Sequence, residues 1–125
     1  MRTIVAIGIA GAFGALARYG LDGLVSRRFT SSSFPWGTLV VNVSGAFVLG
    51  LLMTLMTEQL TTAAWLRSAL TIGLLGAYTT FSTLSYETYR LLEDGAVGLA
   101  AANMLGSMAA GLVAVYLGVV AGRAL

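Results

Sequence analysis

The chain of 125 residues contains no cysteine and no histidine. Those absences together remove disulfide frameworks, thiol nucleophiles and the usual zinc sites, so any metal would have to be held by oxygen. Lysine is missing as well, proline occurs once, and charged residues make up 10% of the sequence. A soluble domain carries about a quarter of its residues as charges. This composition, with 58% hydrophobic residues, excludes one and points to lipid. No nucleotide motif and no catalytic constellation is visible, which argues against ATP-driven pumping and against an enzyme, and nothing suggests a nucleic acid partner.

The few charges divide the chain into uncharged runs from Thr3 to Ala17, Phe29 to Thr57, Ser68 to Tyr86 and Gly95 to Gly122. A helix needs about 20 mostly apolar residues to cross a bilayer core. The runs therefore predict an all-α membrane protein, residues 1–125 forming a single domain of four transmembrane helices near 3–25, 36–57, 65–92 and 97–121. The first run follows Arg2 and has small residues, as a secretory signal would. The chain stays equally hydrophobic after it, so it is read as a retained span.

An even number of spans puts both termini on one side of the bilayer. Arg2, Arg67 and Arg123 then flank the terminal side and Arg27, Arg28 and Arg90 the other. That count leaves the positive-inside rule no bias to act on, as in a protein that inserts both ways, although six charges also balance by chance. Arg18 would tip the count, but Asp22, one helical turn on, is placed to pair with it.

Small residues recur along the first helix (Gly8, Gly11, Gly14) and the fourth (Gly106, Gly111, Gly118), where they let backbones approach closely in lipid. Four helices enclose little room for a wet pathway, so transport would need a second copy. In the second helix Thr38 and Asn42 fall four apart on one face, with Ser44 turned elsewhere. Asn103, Ser107 and Gly111 repeat the four-residue step in the fourth. Each set is a stripe, suited either to lining a narrow track or to hydrogen bonding between helices.

The stretch "GLLGAYTTFSTLSYE", Gly73 to Glu87, differs in kind. Thr79, Thr80, Ser82, Thr83 and Ser85 crowd around Phe81 and point all round the axis. Consecutive Thr and Ser compete for backbone hydrogen bonds, and Gly73 and Gly76 just before them are weak helix formers. The pattern predicts a break in the third helix between Gly76 and Thr80, and unwound backbone at membrane depth must be buried in protein or line a wet cavity. The competing reading is a continuous helix whose hydroxyls bond back to the preceding turn.

Four motifs in order, "GAFGALARYG", "FPWGTLVVNVSG", "GLLGAYTTFSTLSYET" and the Asn103, Ser107, Gly111 ladder, carry a resemblance to the Fluc/CrcB fluoride channels of bacteria. The resemblance covers essentially the whole chain. It implies four helices per subunit in an antiparallel, dual-topology dimer, with two fluoride pathways and a central structural Na+ held by the backbone carbonyls of Gly76 and Thr79. The family's pore asparagine falls on Asn42 and its helix-one arginine, an interface charge, on Arg18. Its pore phenylalanines fall on Phe81 and on position 84, which is Leu84 here. Asn103 stands where the family usually has tyrosine, and Ser107 is retained.

A phenyl ring is positive at its edge, so Phe81 would present C–H groups to a small anion, with Thr38, Ser82 and Thr83 as neighbouring hydroxyls. The resemblance implies passive export of F− from a bacterial cell across its inner membrane, and so fluoride resistance. Leu84 lacks the ring quadrupole and also suits one half of a pair of related subunits. Two other readings stand beside the channel. A small multidrug exporter would need a carboxylate in helix one, and Thr3 to Leu21 contains none; a noncatalytic accessory subunit would conduct nothing alone.

Overall fold

A computed structural model describes all 125 residues. The chain is helical throughout, without strands. α1 runs from Arg2 to Arg28 and α2 from Trp36 to Thr54, the latter extended by π-helical turns over Leu55–Gln59. A third stretch comes in pieces: α3 over Ala64–Ser68, π-helical turns over Ala69–Leu75, α4 over Gly76–Tyr78, and α5 over Phe81–Glu93. α6 closes the chain over Val97–Ala124.

The helices overrun the expected bounds at polar ends. α1 continues to Arg28, placing Arg27 and Arg28 in its last turn, where cations complement the helix dipole. α5 ends at Glu93 and is followed by Gly95, which has a positive φ of 75°. The amide of Ala96 reaches back to the Leu91 carbonyl and that of Gly95 to Leu92, the paired bonds that terminate a helix on glycine.

Arg2–Arg28, Trp36–Gln59 and Val97–Ala124 are long and apolar enough to cross a membrane. Only 20 of 125 residues are buried, while Phe13, Leu16, Leu105 and Leu112 are mostly exposed. An apolar surface on that scale belongs in lipid: this is a multi-pass membrane protein.

Packing between the helices is close and mostly dry. A methyl added at Gly118 would overlap the Phe47 carbonyl, and one at Gly122 would meet Thr54. These contacts advance together along both helices, so α2 and α6 run the same way. On the other side Gly14 lies directly on the Leu74 carbonyl, joining α1 to the π-helical turns. Asn42 with Thr80 and Thr38 with Glu87 pair in opposite order, so α2 runs against the third stretch. The result is an up-down bundle.

At the end holding both termini, the Arg2 guanidinium sits 4.3 Å over the Trp65 ring and Arg123 pairs with Glu58 at 3.0 Å. Trp36 marks the opposite end, its ring tilted against those of Phe29 and Phe34, at the level where interfacial aromatic residues collect.

Candidate functional site

The site is built around two residues, Thr79 and Thr80, whose backbone is extended (ψ 156° and 115°) between α4 and α5. Gly76, where the composition puts the start of an interruption, is still helical. The turns before it have widened to π geometry instead.

Side chains take over the backbone bonds that a continuous helix would make. The Thr80 amide donates to Asn42 Oδ1 at 2.8 Å, and Asn42 Nδ2 donates to the Thr80 carbonyl at 3.0 Å. In an uninterrupted helix that amide would serve the Gly76 carbonyl, which is thereby left without its helical partner. Thr80 Oγ1 accepts from the Thr83 amide at 3.2 Å, capping α5 in the usual way of a threonine at a helix start. The Thr83 amide is in turn the one that would have served the Thr79 carbonyl. The carbonyls of Gly76 and Thr79, three residues apart, thus each lose the amide that a continuous helix would bring to them.

The remaining hydroxyls are largely spent locally. Thr79 Oγ1 donates to the Leu75 carbonyl at 2.9 Å, Ser85 to Phe81 at 3.0 Å and Thr88 to Leu84 at 2.8 Å. Bonding back to the preceding turn and two residues of extended backbone therefore occur side by side.

Arg18 does not pair with Asp22. Its Nη1 lies 3.5 Å from the Thr79 carbonyl, while Asp22 accepts from Ser26 Oγ at 3.3 Å. The physical reason is the released carbonyl, an acceptor that needs a donor. Asp22 already has one a turn further along its own helix.

Two clefts meet at Thr80. The larger, about 570 Å³, is lined by Asn42, Gly76, Thr79, Thr80, Phe81, Leu84 and Ser107, among mostly small or apolar neighbours. The smaller, about 230 Å³, is polar and lined by Arg18, Asp22, Thr38, Thr80 and Thr83 among others. The structure separates the two members of the α2 stripe: Asn42 faces the larger cleft and Thr38 the smaller. Phe81 is 75% exposed and Leu84 only 6%.

Asn103 and Ser82 line neither cleft. Asn103 is fully buried and donates from Nδ2 to Thr88 Oγ1 at 3.0 Å. Because the Thr88 proton is committed to Leu84, its oxygen can only accept, which sets the orientation of the amide and leaves Asn103 Oδ1 unpaired. Asn103 therefore joins α6 to α5 at Thr88, one turn after Leu84. Ser107 Oγ is also buried without a partner, at the wall of the larger cleft.

Sequence reasoning did not assign the partners of three participants. Thr80 is the hinge of both clefts, and its place three residues before Thr83 is a readable helix-start signal. Glu87 accepts from Thr38 Oγ1 at 2.7 Å, a partnership across helices that spacing within one helix does not disclose. Tyr78 bonds Ser44 for the same reason unseen.

Fold and site together define a multi-pass membrane protein whose polar groups converge on two extended residues between α4 and α5, where two clefts meet. Residues 5–119 match the family described as CrcB-like protein, Camphor Resistance (CrcB). The chain is 49% identical over 125 residues to a protein of Geobacter sp. (strain M21), covering all of both chains, and 50% identical over 125 residues to one of Geobacter sulfurreducens, again covering all of both. A relative in Geobacter metallireducens is 51% identical over 123 residues, 98% of each chain. All three are called fluoride-specific ion channel FluC. The chain belongs to the CrcB family.

Proposed function

We propose that this chain is the subunit of a fluoride-selective ion channel that lets F− run passively out of a bacterial cell across its inner membrane, and so confers fluoride resistance. The observation that carries the reading is full-length identity of 49–51% to proteins called fluoride-specific ion channels. The geometry supports it with a chemistry suited to a small, strongly hydrated anion.

Partial dehydration of F− is offset when fixed donors replace its water. Asn42 has one amide proton left after bonding Thr80, the unpartnered Ser107 hydroxyl is free to donate, and the exposed Phe81 ring offers its positive edge to the same cleft. Thr38 and Thr83 bring their hydroxyls to the smaller cleft, across Thr80 from this one, and the Ser82 hydroxyl lies 3.4 Å from that of Thr80. Leu84 contributes an aliphatic wall in place of a second ring, and Asn103 ties α6 to Thr88, one turn further along α5. Arg18 supplies positive potential beside the Thr79 carbonyl.

The third stretch is read as a broken membrane helix, and two of its carbonyls fit a Na+ ion: that of Gly76, and that of Thr79, which keeps a second lone pair while accepting from Arg18 at 3.5 Å. Carbonyls of unwound backbone are hard, neutral donors of the kind that hold this cation in membrane proteins. These two residues would hold it together with the same pair from a second, antiparallel copy, and the ion would supply fixed positive charge between the two subunits. The balanced arginines accord with insertion in both orientations.

The test is fluoride efflux from liposomes containing only the purified chain, with chloride as the control anion. Rapid efflux of fluoride and not chloride is expected. A second reading, favoured by Leu84, is a subunit that conducts only beside a related partner. A well-folded dimer without fluoride efflux would support that reading and overturn the homodimeric channel.

A further inference from the structure

We infer that Tyr78, acting through Ser44, is a positioning residue for the Gly76 and Thr79 carbonyls. The inference rests on the sodium reading above and adds to it the group that sets the geometry of that site.

Ser44 Oγ lies 3.0 Å from the Val41 carbonyl and 2.7 Å from the Tyr78 hydroxyl. A serine has one proton. Ser44 donates it to Val41, so Tyr78 must donate to Ser44, and a directed chain of bonds runs from α4 into the backbone of α2. The Tyr78 ring also covers Gly45, where an added methyl would sit 3.0 Å from Cδ1 and would overlap the Thr79 methyl. Only glycine lets the end of α4 approach α2 this closely.

α4 needs such a support. It is three residues long, follows π-helical turns and is followed by extended backbone, so it has little hydrogen-bond ladder of its own to fix its direction. Asn42 holds the far side of the interruption at Thr80, while Tyr78 holds the near side. The Gly76 carbonyl lies two residues before that anchor and the Thr79 carbonyl one residue after it. No other part of the proposed function uses Tyr78 or Ser44, neither of which bears on the fluoride route directly.

The experiment is fluoride efflux from liposomes containing the full chain, with Na+ replaced by N-methyl-D-glucamine and titrated back, for wild type, Tyr78→Phe, Ser44→Ala and the double variant. The Na+ concentration for half-maximal efflux should rise about three- to tenfold in Tyr78→Phe, the scale of one lost hydrogen bond. Efflux at saturating Na+ should return close to the wild-type rate. Ser44→Ala should behave alike, and the double variant no worse than either, because both remove one interaction. A wild-type titration in Tyr78→Phe overturns the inference. So does a rate reduced equally at every Na+ concentration alongside a lowered melting temperature, the mark of a merely structural contact. A wild type that carries fluoride equally well without Na+ defeats the sodium reading first, and the positioning role with it.

Discussion

α2 meets its two neighbours in opposite ways. Toward α6 it presents bare backbone: Phe47 and Gly118 touch with no side chain between them. Toward the third stretch it presents Thr38, Asn42 and Ser44, each bonded to a partner there. In lipid the first kind of contact gains its stability from close packing. The second holds two residues of backbone out of a helix, where their polar groups would otherwise be stranded. The dry seam sets the bundle, and the polar seam shapes the site.

Breaking the dry seam should have the largest effect. Gly118→Val drives a branched side chain into the Phe47 carbonyl, and the purified protein should lose its sharp peak on size exclusion and its cooperative melt. Asn42→Ala attacks the polar seam instead and leaves the Thr80 amide and carbonyl unpaired. Each stranded group costs about 1–3 kcal/mol, so the melting temperature should fall while the bundle still forms, and fluoride efflux should be lost. Thr80→Ala removes only the cap of α5, about 1 kcal/mol, and Thr80→Ser should restore most of it in the same melting assay. The smallest change is expected at the surface: Arg123→Gln breaks an exposed ion pair with Glu58, and any loss of melting temperature should vanish at high salt. If Gly118→Val were milder than Thr80→Ala, the division of labour between the two seams would be wrong.

Much of this was legible from residue order alone. Charge spacing locates the long helices because crossing a bilayer demands uninterrupted apolar length, and a cluster of Thr and Ser after two glycines announces backbone that will not stay α-helical. The exact register was not legible. Gly76 remains helical because its neighbours can widen into π turns, and the extended pair falls where Asn42 can bond it. Which residue on another helix supplies a partner depends on rotation and depth, which one helix's periodicity does not contain. That is why Asp22 looks like the partner of Arg18, which instead reaches the Thr79 carbonyl, and why Tyr78 and Glu87 stand out only in three dimensions. Asn103, a polar step on α6, turns out to be a buried bridge to Thr88, because the stripe faces α5 at that depth.

The most direct measurement compares fluoride efflux from liposomes holding wild type and Asn42→Asp, with chloride as the control anion. Aspartate can still accept from the Thr80 amide, so the site's backbone keeps one of its two anchors. It loses the amide donor and sets a negative charge against the anion. We expect fast, fluoride-selective efflux from the wild type and none from a folded Asn42→Asp protein. Equal fluoride efflux from both would show that Asn42 does not face the conducted ion, and would contradict a pathway along this cleft.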